Sequence, residues 1–430
     1  MLRWARHAVV LVLPACFHPV YDHPACGSGG ACPSGFVCNM VSGFCEPPGG
    51  GPIVDAATSD GSVGTDGQLV DARPGCFGVG LLSNLCPSSA PTGELTLSSA
   101  IDTDAAGTCT QVFPQTGSPS AAPDLCAIAA KTITAQGTVI VTGTRALVLI
   151  AAETIVVSAG AALDASSATS GTSRKGAAAN LGVCSSAGKG DDSQNGAGGG
   201  AGGSLSTKGG NGGLGNRNAP GGPQNGAKGG IAGAVQPPPT LLRGGCPGGN
   251  GGNGSGTNGG VGGNGGGAVY LIAGSSISIT GDVFASGAGG DGTPNNGGIE
   301  QGGGGGGSGG MIGLDAPTIT IDGRIAANGA AGAGGGGATG GKPGDDGTTA
   351  TWNARADAGG AGTGCGTQSQ NLKIGSGAQG TAFTSTDNLD GGVGDCGAGG
   401  GGGGLGIVTI YGTVNGGTAG KKISPPPITH

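Results

Sequence analysis

Three stretches of the chain alternate apolar residues with small or polar ones, and they do so in step. Ala146 to Ser166 (ALVLIAAETIVVSAGAALDAS), Ala268 to Gly287 (AVYLIAGSSISITGDVFASG) and Met311 to Gly329 (MIGLDAPTITIDGRIAANG) align almost residue for residue. Leu149, Leu271 and Leu314 coincide, as do Ile155, Ile277 and Ile319, and then Leu163, Val283 and Ile325. A shorter fourth copy spans Leu405 to Gly417, where Ile410 and Val414 take the places of Ile321 and Ile325. The period of two, carried by β-branched Val, Ile and Thr, predicts short half-buried strands joined by tight corners. A single copy cannot bury its own apolar face, whereas stacked copies share one core. The expectation is therefore an all-β fold, a β-solenoid of the parallel β-helix kind. An antiparallel β-sandwich with long loops is the alternative.

Long Gly-rich inserts separate the copies, at 167–267, 288–310 and 329–404. Their texture is Gly-Gly-x, as in Gly259-Gly260-Val261-Gly262-Gly263-Asn264. A three-residue period suits polyproline-II backbone, which has no internal hydrogen bonds. Where most residues are Gly, neighbouring segments can approach and pair their backbones as a polyglycine-II raft. Disorder is the competing expectation, since Gly loses the most entropy on ordering.

The remaining segments differ in texture. Residues 1–15 form an export signal: Arg3 and Arg6 precede an apolar Ala8–Leu13 core,. Residues 16–46 are Cys-rich. Residues 47–75 are Pro, Gly, Ser and Asp with scattered aliphatics and predict a flexible linker. Residues 76–145 carry four cysteines and strand-like runs, and predict a disulfide-stabilised cap on the N-terminal end of the repeat region, 146–420. A polar tail, 421–430, follows.

Composition narrows the chemistry. Of 430 residues, 108 are Gly, 10% are charged and 3% aromatic. The net charge is −7, with no basic patch interleaved with aromatics, which argues against nucleic acid as a partner,. The 13 cysteines are odd in number. With Cys16 set aside, three groups of four remain: Cys26, Cys32, Cys38 and Cys45; Cys76, Cys86, Cys109 and Cys126; Cys184, Cys246, Cys365 and Cys396. Even groups predict disulfides and an oxidising compartment. For the last group, pairing within each insert and pairing across inserts both remain open.

Leu13-Pro14-Ala15-Cys16 resembles a bacterial lipobox. The resemblance implies lipidation at Cys16, which would anchor the chain in a membrane; Phe17 follows in place of an acidic retention residue, which points to the outer membrane or cell surface. An ordinary signal peptide cut near Ala15 or Ala25 is the alternative. Cys26 to Cys45, with its Cys32-Pro33-x-Gly35-x-x-Cys38 segment, is similar to the short EGF-like modules that follow the anchor in surface proteins of myxobacteria. Its gaps are wider than those of paired zinc ligands. From this module onward the chain resembles Gly-rich surface lipoproteins of myxobacteria. In composition alone the Gly-Gly-x region resembles the PGRS part of mycobacterial PE-PGRS proteins, without the PE domain. The resemblance implies a structural or adhesive role at the cell surface and no assigned activity. The partners it suggests are extracellular matrix, polysaccharide or the chain itself.

Catalytic patterns are sparse. No His lies between His23 and His430, which excludes a His-dependent triad on the repeat region,. Matches to G-x-G-x-x-G lack a strand–helix context. Gly289-Gly290-Asp291-Gly292 and Gly344-Asp345-Asp346-Gly347 only brush against the tandem calcium nonapeptide,. No cofactor or metal is expected, and an enzyme is not. The alternative function is a carbohydrate-binding or polysaccharide-degrading β-helix, for which Asp282, Asp315, Asp322 and Arg324 are the candidates, since glycoside chemistry uses paired acids.

Overall fold

The computed structural model describes residues 32, 37–39, 44–46, 75–115, 122–169, 173–181, 184–215, 226–236, 240–255, 257–293, 300–347, 354–363, 374–382 and 389–430. Two compact units divide the chain, Met1–Val70 and Asp71–His430. In the first, β1 (Val37–Asn39) and β2 (Phe44–Glu46) form an antiparallel pair, and a disulfide joins Cys32 to Cys45. So small a unit has little core of its own and depends on such a staple.

The second unit is built on two mainly parallel sheets. Its strands are β3 (Glu94–Leu97), β4 (Ile101–Asp102), β5 (Gln111–Phe113), β6 (Leu125–Ala135), β7 (Thr138–Thr142), β8 (Ala146–Val157), β9 (Ala162–Asp164), β10 (Ala268–Ala273), β11 (Ser276–Ile279), β12 (Asp282–Phe284), β13 (Met311–Ile321), β14 (Arg324–Ala326), β15 (Ile407–Val414), β16 (Lys422–Ser424) and β17 (Ile428–Thr429). A nine-stranded sheet runs β17-β15-β13-β10-β8-β6-β3, with β11 between β8 and β13 and β5 antiparallel against β6. A six-stranded sheet runs β16-β14-β12-β9-β7-β4. No helix occurs among the described residues.

This corrects the expected β-solenoid, and the antiparallel sandwich with it. Residues aligned in sequence become neighbours in the first three copies, where Leu271 pairs with Leu149 and with Leu314. The fourth copy is set differently from the expectation: Ile410 pairs with Leu314 and Val414 with Ile319, rather than taking the places of Ile321 and Ile325. The chain does not, however, wind from one copy to the next through short, constant coils. Each of the first three copies gives strands to both sheets and is then separated from the next by a Gly-rich insert of its own length; the fourth gives β15 to the large sheet alone. The result is two mainly parallel sheets packed face to face, with a third, glycine-built body continuous with them.

Alternation decides which faces are covered. Leu149, Leu271, Leu314 and Ile410 meet Leu163, Val283, Ile325 and Ile423 of the six-stranded sheet in one buried cluster. The other face of the large sheet carries Val148, Ile150, Tyr270, Ile272 and Met311 beneath Leu82, Leu205 and Leu242. Each such aliphatic side chain contributes about 1.5–3 kcal/mol by leaving water. The cap region is pinned to that second face by Asp315 of β13. Its Oδ2 accepts the Val79 and Gly80 N–H groups, each at 2.9 Å.

The Gly-rich segments form a hydrogen-bonded array continuous with the sheets. Segment 302–310 shows the pattern. Its residues 302, 305 and 308 donate to 252, 249 and 246; residues 303, 306 and 309 donate to 398, 401 and 404; residues 304, 307 and 310 donate to 291, 288 and 285. Its carbonyls accept from 260 and 263, from 200 and 203, and from 330 and 333. Every third residue thus faces the same neighbour, which satisfies backbone groups that burial would otherwise leave unpaired. At many of its glycines a side chain has no room. A Cβ on Gly305 would sit 1.9 Å from the Ala201 carbonyl oxygen, and one on Gly202 would sit 1.9 Å from that of Gly402.

Candidate functional site

The array encloses a cleft of about 800 Å³. Three segments position it. Residues 285–292 leave β12 and carry Asp291; residues 257–263 lead toward β10 and carry Thr257, Asn258 and Val261; residues 341–347 carry Asp345 and Asp346. Backbone bonds tie them together: Asp291 N–H to Val261 C=O at 2.8 Å, and Gly344 N–H to Gly290 C=O at 3.0 Å. The Asp346 carboxylate oxygen Oδ1 accepts the Thr169 and Gly289 N–H groups, both at 2.9 Å. The two Gly-Asp-Gly stretches that resembled an isolated calcium pattern are therefore hydrogen-bonded neighbours. Even so, no group of three or more His, Cys, Asp or Glu is placed to hold a metal ion among the described residues.

The electrostatics are unbalanced. Burial and the nearby Asp346 push the Asp291 carboxyl above the usual carboxylate range. Burial, Asp357 and Asp346 do the same to Asp345. No Lys or Arg among the described residues forms a salt bridge with either acid; Asp291 is half-buried, Asp345 is exposed at the rim, and Asp346 is the like charge near both,.

A second compartment of about 430 Å³ shares Thr257 and Asn258 with the first and continues past Asp192 and Asn253. Here the acid is compensated. Lys189 Nζ lies 2.7 Å from Asp192 and the Asn253 N–H donates to the same oxygen at 2.7 Å, which holds the carboxyl below its ordinary value. Behind the wall, Gln301 is wholly buried. Its Nε2 donates to Thr257 Oγ1 at 2.6 Å, while its Oε1 has no hydrogen-bond partner.

The residues nominated from sequence lie elsewhere, in structural roles. Asp282 on β12 and Arg324 on β14 are paired strand neighbours, with Nε 2.8 Å from Oδ1, and the guanidinium lies over the Phe284 ring. Asp322 sits at an exposed turn against Lys421 at 3.3 Å. Asp315 is buried; burial raises its carboxyl despite the two backbone donors and the Tyr270 hydroxyl. Tyr270 is pushed far above the ordinary tyrosine value by its own burial and by Asp315. These four residues do not form a cleft. Asp291 and Asp345 were visible in sequence only as fragments of the calcium-like pattern, because the contacts that gather them are made by backbone.

The cysteines fall as follows. Cys76 bonds Cys86, Cys109 bonds Cys126, and Cys184 bonds Cys246, so the pairing in the first insert is internal. Cys396 is also disulfide-bonded. Cys38 lies on β1 opposite Cys45 in the strand register. Cys16, Cys26 and Cys365 lie outside the described residues. The disulfides are compatible with an exported protein. No described helix is long and apolar enough to cross a membrane. Comparison with protein-family models, curated proteins and solved structures gave no match.

Proposed function

We propose that the chain is an exported protein, lipid-anchored through Cys16, that serves at the bacterial outer surface as a structural or adhesive element. The observation that carries this reading is the glycine array. Its inserts interlock through backbone hydrogen bonds in three directions, and a disulfide joins Cys184 to Cys246 within the first of them. Such a body withstands unfolding and proteolysis because few of its backbone groups are left to water or to a protease. The lipobox-like run and the Cys-rich module before the linker support the anchor and a stalk. Kinship with Gly-rich surface lipoproteins of myxobacteria is part of the same reading.

The test is protease shaving of intact cells, with fatty-acid labelling, on the native chain and on Cys16→Ser. Label that depends on Cys16, together with cleavage from outside the cell, supports the reading. An unlabelled native chain found soluble in the periplasm or medium sinks it. A glycan-binding role is the second reading, favoured by the polar cleft rather than by the residues first nominated for it.

A further inference from the structure

A stack of parallel strands has two ends, and here both leave strand edge uncovered. At one end of the nine-stranded sheet, β3 pairs with β6 and with no other strand among the described residues. The Lys131 N–H donates to Gly93 C=O and the Gln136 N–H to Leu97 C=O. Bonding sides alternate along a strand, so the backbone groups of Glu94 and Thr96 face outward. At the other end, β17 covers β15 only at Thr409 and Ile410. Gly412 to Val414 have no strand on their outer side among the described residues. The adjoining turns are open too: a Cβ on Gly93 or on Gly416 would meet nothing within 4 Å.

The two free edges lie in the same column of the register. Leu95 pairs with Ile133, Ile133 with Ile155, Ile155 with Ile277, Ile277 with Ile319, and Ile319 with Val414, every step parallel. The four isoleucines are buried between the sheets. Leu95 and Val414, at the two ends of the column, pack against the same core yet stay half-exposed. The rest of each end is closed on the same side: β5 covers Leu125 to Ala127 at one end, and β17 covers Thr409 and Ile410 at the other. Charge fits as well. Glu94 and Asp102 are exposed at the first end and Lys422 at the second, and none of the three forms a salt bridge among the described residues.

We propose that a second copy of the chain docks here head to tail, β3 of one copy adding in parallel to β15 of the next so that Leu95 lies beside Val414. The apolar column then runs unbroken from copy to copy. Edge strands left open invite this kind of addition, and proteins that must avoid it cover them. Because the two surfaces differ, the contact is heterologous and extends a row of copies rather than closing a pair. Each contact is only a few residues wide and is weak by itself. Copies anchored side by side on one surface meet at high effective concentration, which lets such a contact hold. The proposal rests on the structural reading above and names its partner, the chain itself.

The experiment is disulfide cross-linking between two full-length variants, Leu95→Cys and Val414→Cys, one of them isotope-labelled. Neighbouring strands lie about 4.8 Å apart, well inside the roughly 7 Å between Cα atoms that a disulfide allows. Under mild oxidation the mixture should join position 95 of one copy to position 414 of the other, with the linked peptides identified by mass spectrometry. Neither variant alone should link to itself, and a chain carrying both substitutions should give a ladder of higher multiples. Val112→Cys is the control. Val112 is exposed on β5 at the same end as Leu95, but in the column of Cys126, so this variant should not link to Val414→Cys. Absence of the 95–414 link overturns the proposal. So does an equal yield from Val112→Cys, or a 414–414 link in Val414→Cys alone, which would mean a closed pair. If a cysteine variant fails to fold, light scattering of the native chain decides. Mass should rise with concentration, and Leu95→Asp, which puts a charge on the edge, should abolish the rise. A monomer at every concentration, or growth that Leu95→Asp leaves intact, overturns the proposal. The shaving test stays separate: an anchored chain that does not cross-link sinks only the docking, and a soluble chain that does cross-link sinks only the anchor.

Discussion

A methyl group placed inside the glycine array should cost more stability than its size suggests, and Gly305→Ala is the sharpest case. The added Cβ would lie 1.9 Å from the Ala201 carbonyl oxygen, where real Cβ contacts under 3.0 Å essentially do not occur. The obstacle is backbone, so no side chain can rotate away. Opening the gap by the difference, 3.0 − 1.9 = 1.1 Å, moves segment 302–310 off the row that contains Ala201. That row is bonded to it by Gly200 N–H to Gly303 C=O and Gly203 N–H to Gly306 C=O, both 2.9 Å. Displaced by 1.1 Å along the bonds, both reach 2.9 + 1.1 = 4.0 Å and are lost. Two net hydrogen bonds are worth about 1–3 kcal/mol together, and overpacking adds about 1–3 kcal/mol. Restricting the unfolded chain returns about 0.4–1 kcal/mol. The balance is a loss of about 3 kcal/mol. With roughly 2 cal/mol/K of unfolding entropy per residue, a unit of 430 − 70 = 360 residues should melt about 4 °C lower,. Gly360→Ala is the matched control. Its nearest heavy atom is Lys342 Cδ at 3.5 Å, so its melting temperature should hold or rise slightly. Calorimetry on the full chain measures both. If Gly305→Ala melts with the parent, the inserts are not packed as described and the reasoning fails.

Removing the Cys184–Cys246 disulfide by paired Ser substitution frees a loop with a sequence separation of 62 residues. The chain-entropy relation puts the loss at about 4 kcal/mol, to be read as lower denaturant midpoints and as new protease cuts confined to the first insert. The cleft acids make a pH prediction. Asp291 and Asp345 have folded-state carboxyls raised above their unfolded values, so the protonated form is the one the fold favours. Their contribution is fully present below the unfolded carboxylate value and is lost as pH rises through the raised folded value. Asp291→Asn and Asp345→Asn should therefore raise the melting temperature at pH 7 and change it little at pH 3; a lower melting temperature at pH 7 would contradict the charge argument. Arg324→Ala should destabilise by about 1–2 kcal/mol, since it strips a half-buried ion pair with Asp282 and a stacked Phe284; unfolding curves of the single and double variants give the coupling,.

What the sequence made legible was local. Alternation located the strands: the Ile319-Thr320-Ile321 pattern buries both Ile in β13, and the Gly-Ser corner after Ala273 separates β10 from β11 against the unbroken β8. Alignment of Leu149, Leu271 and Leu314 anticipated which residues meet across strands. The architecture was not legible, because in-register stacking of similar strands does not specify how the intervening chain returns. That is decided by the inserts, and in them Gly carries no side-chain pattern to read. The cleft was hidden for the same reason. Thr257, Asp291 and Asp345 are brought together largely by bonds between backbones, and nothing in the residue type of Gly290 and Gly304 says that one donates to Ala331 and the other to Asp291. The acids first chosen, Asp282 and Asp315, drew notice by lying on strands, where an acid is retained only if the fold compensates it.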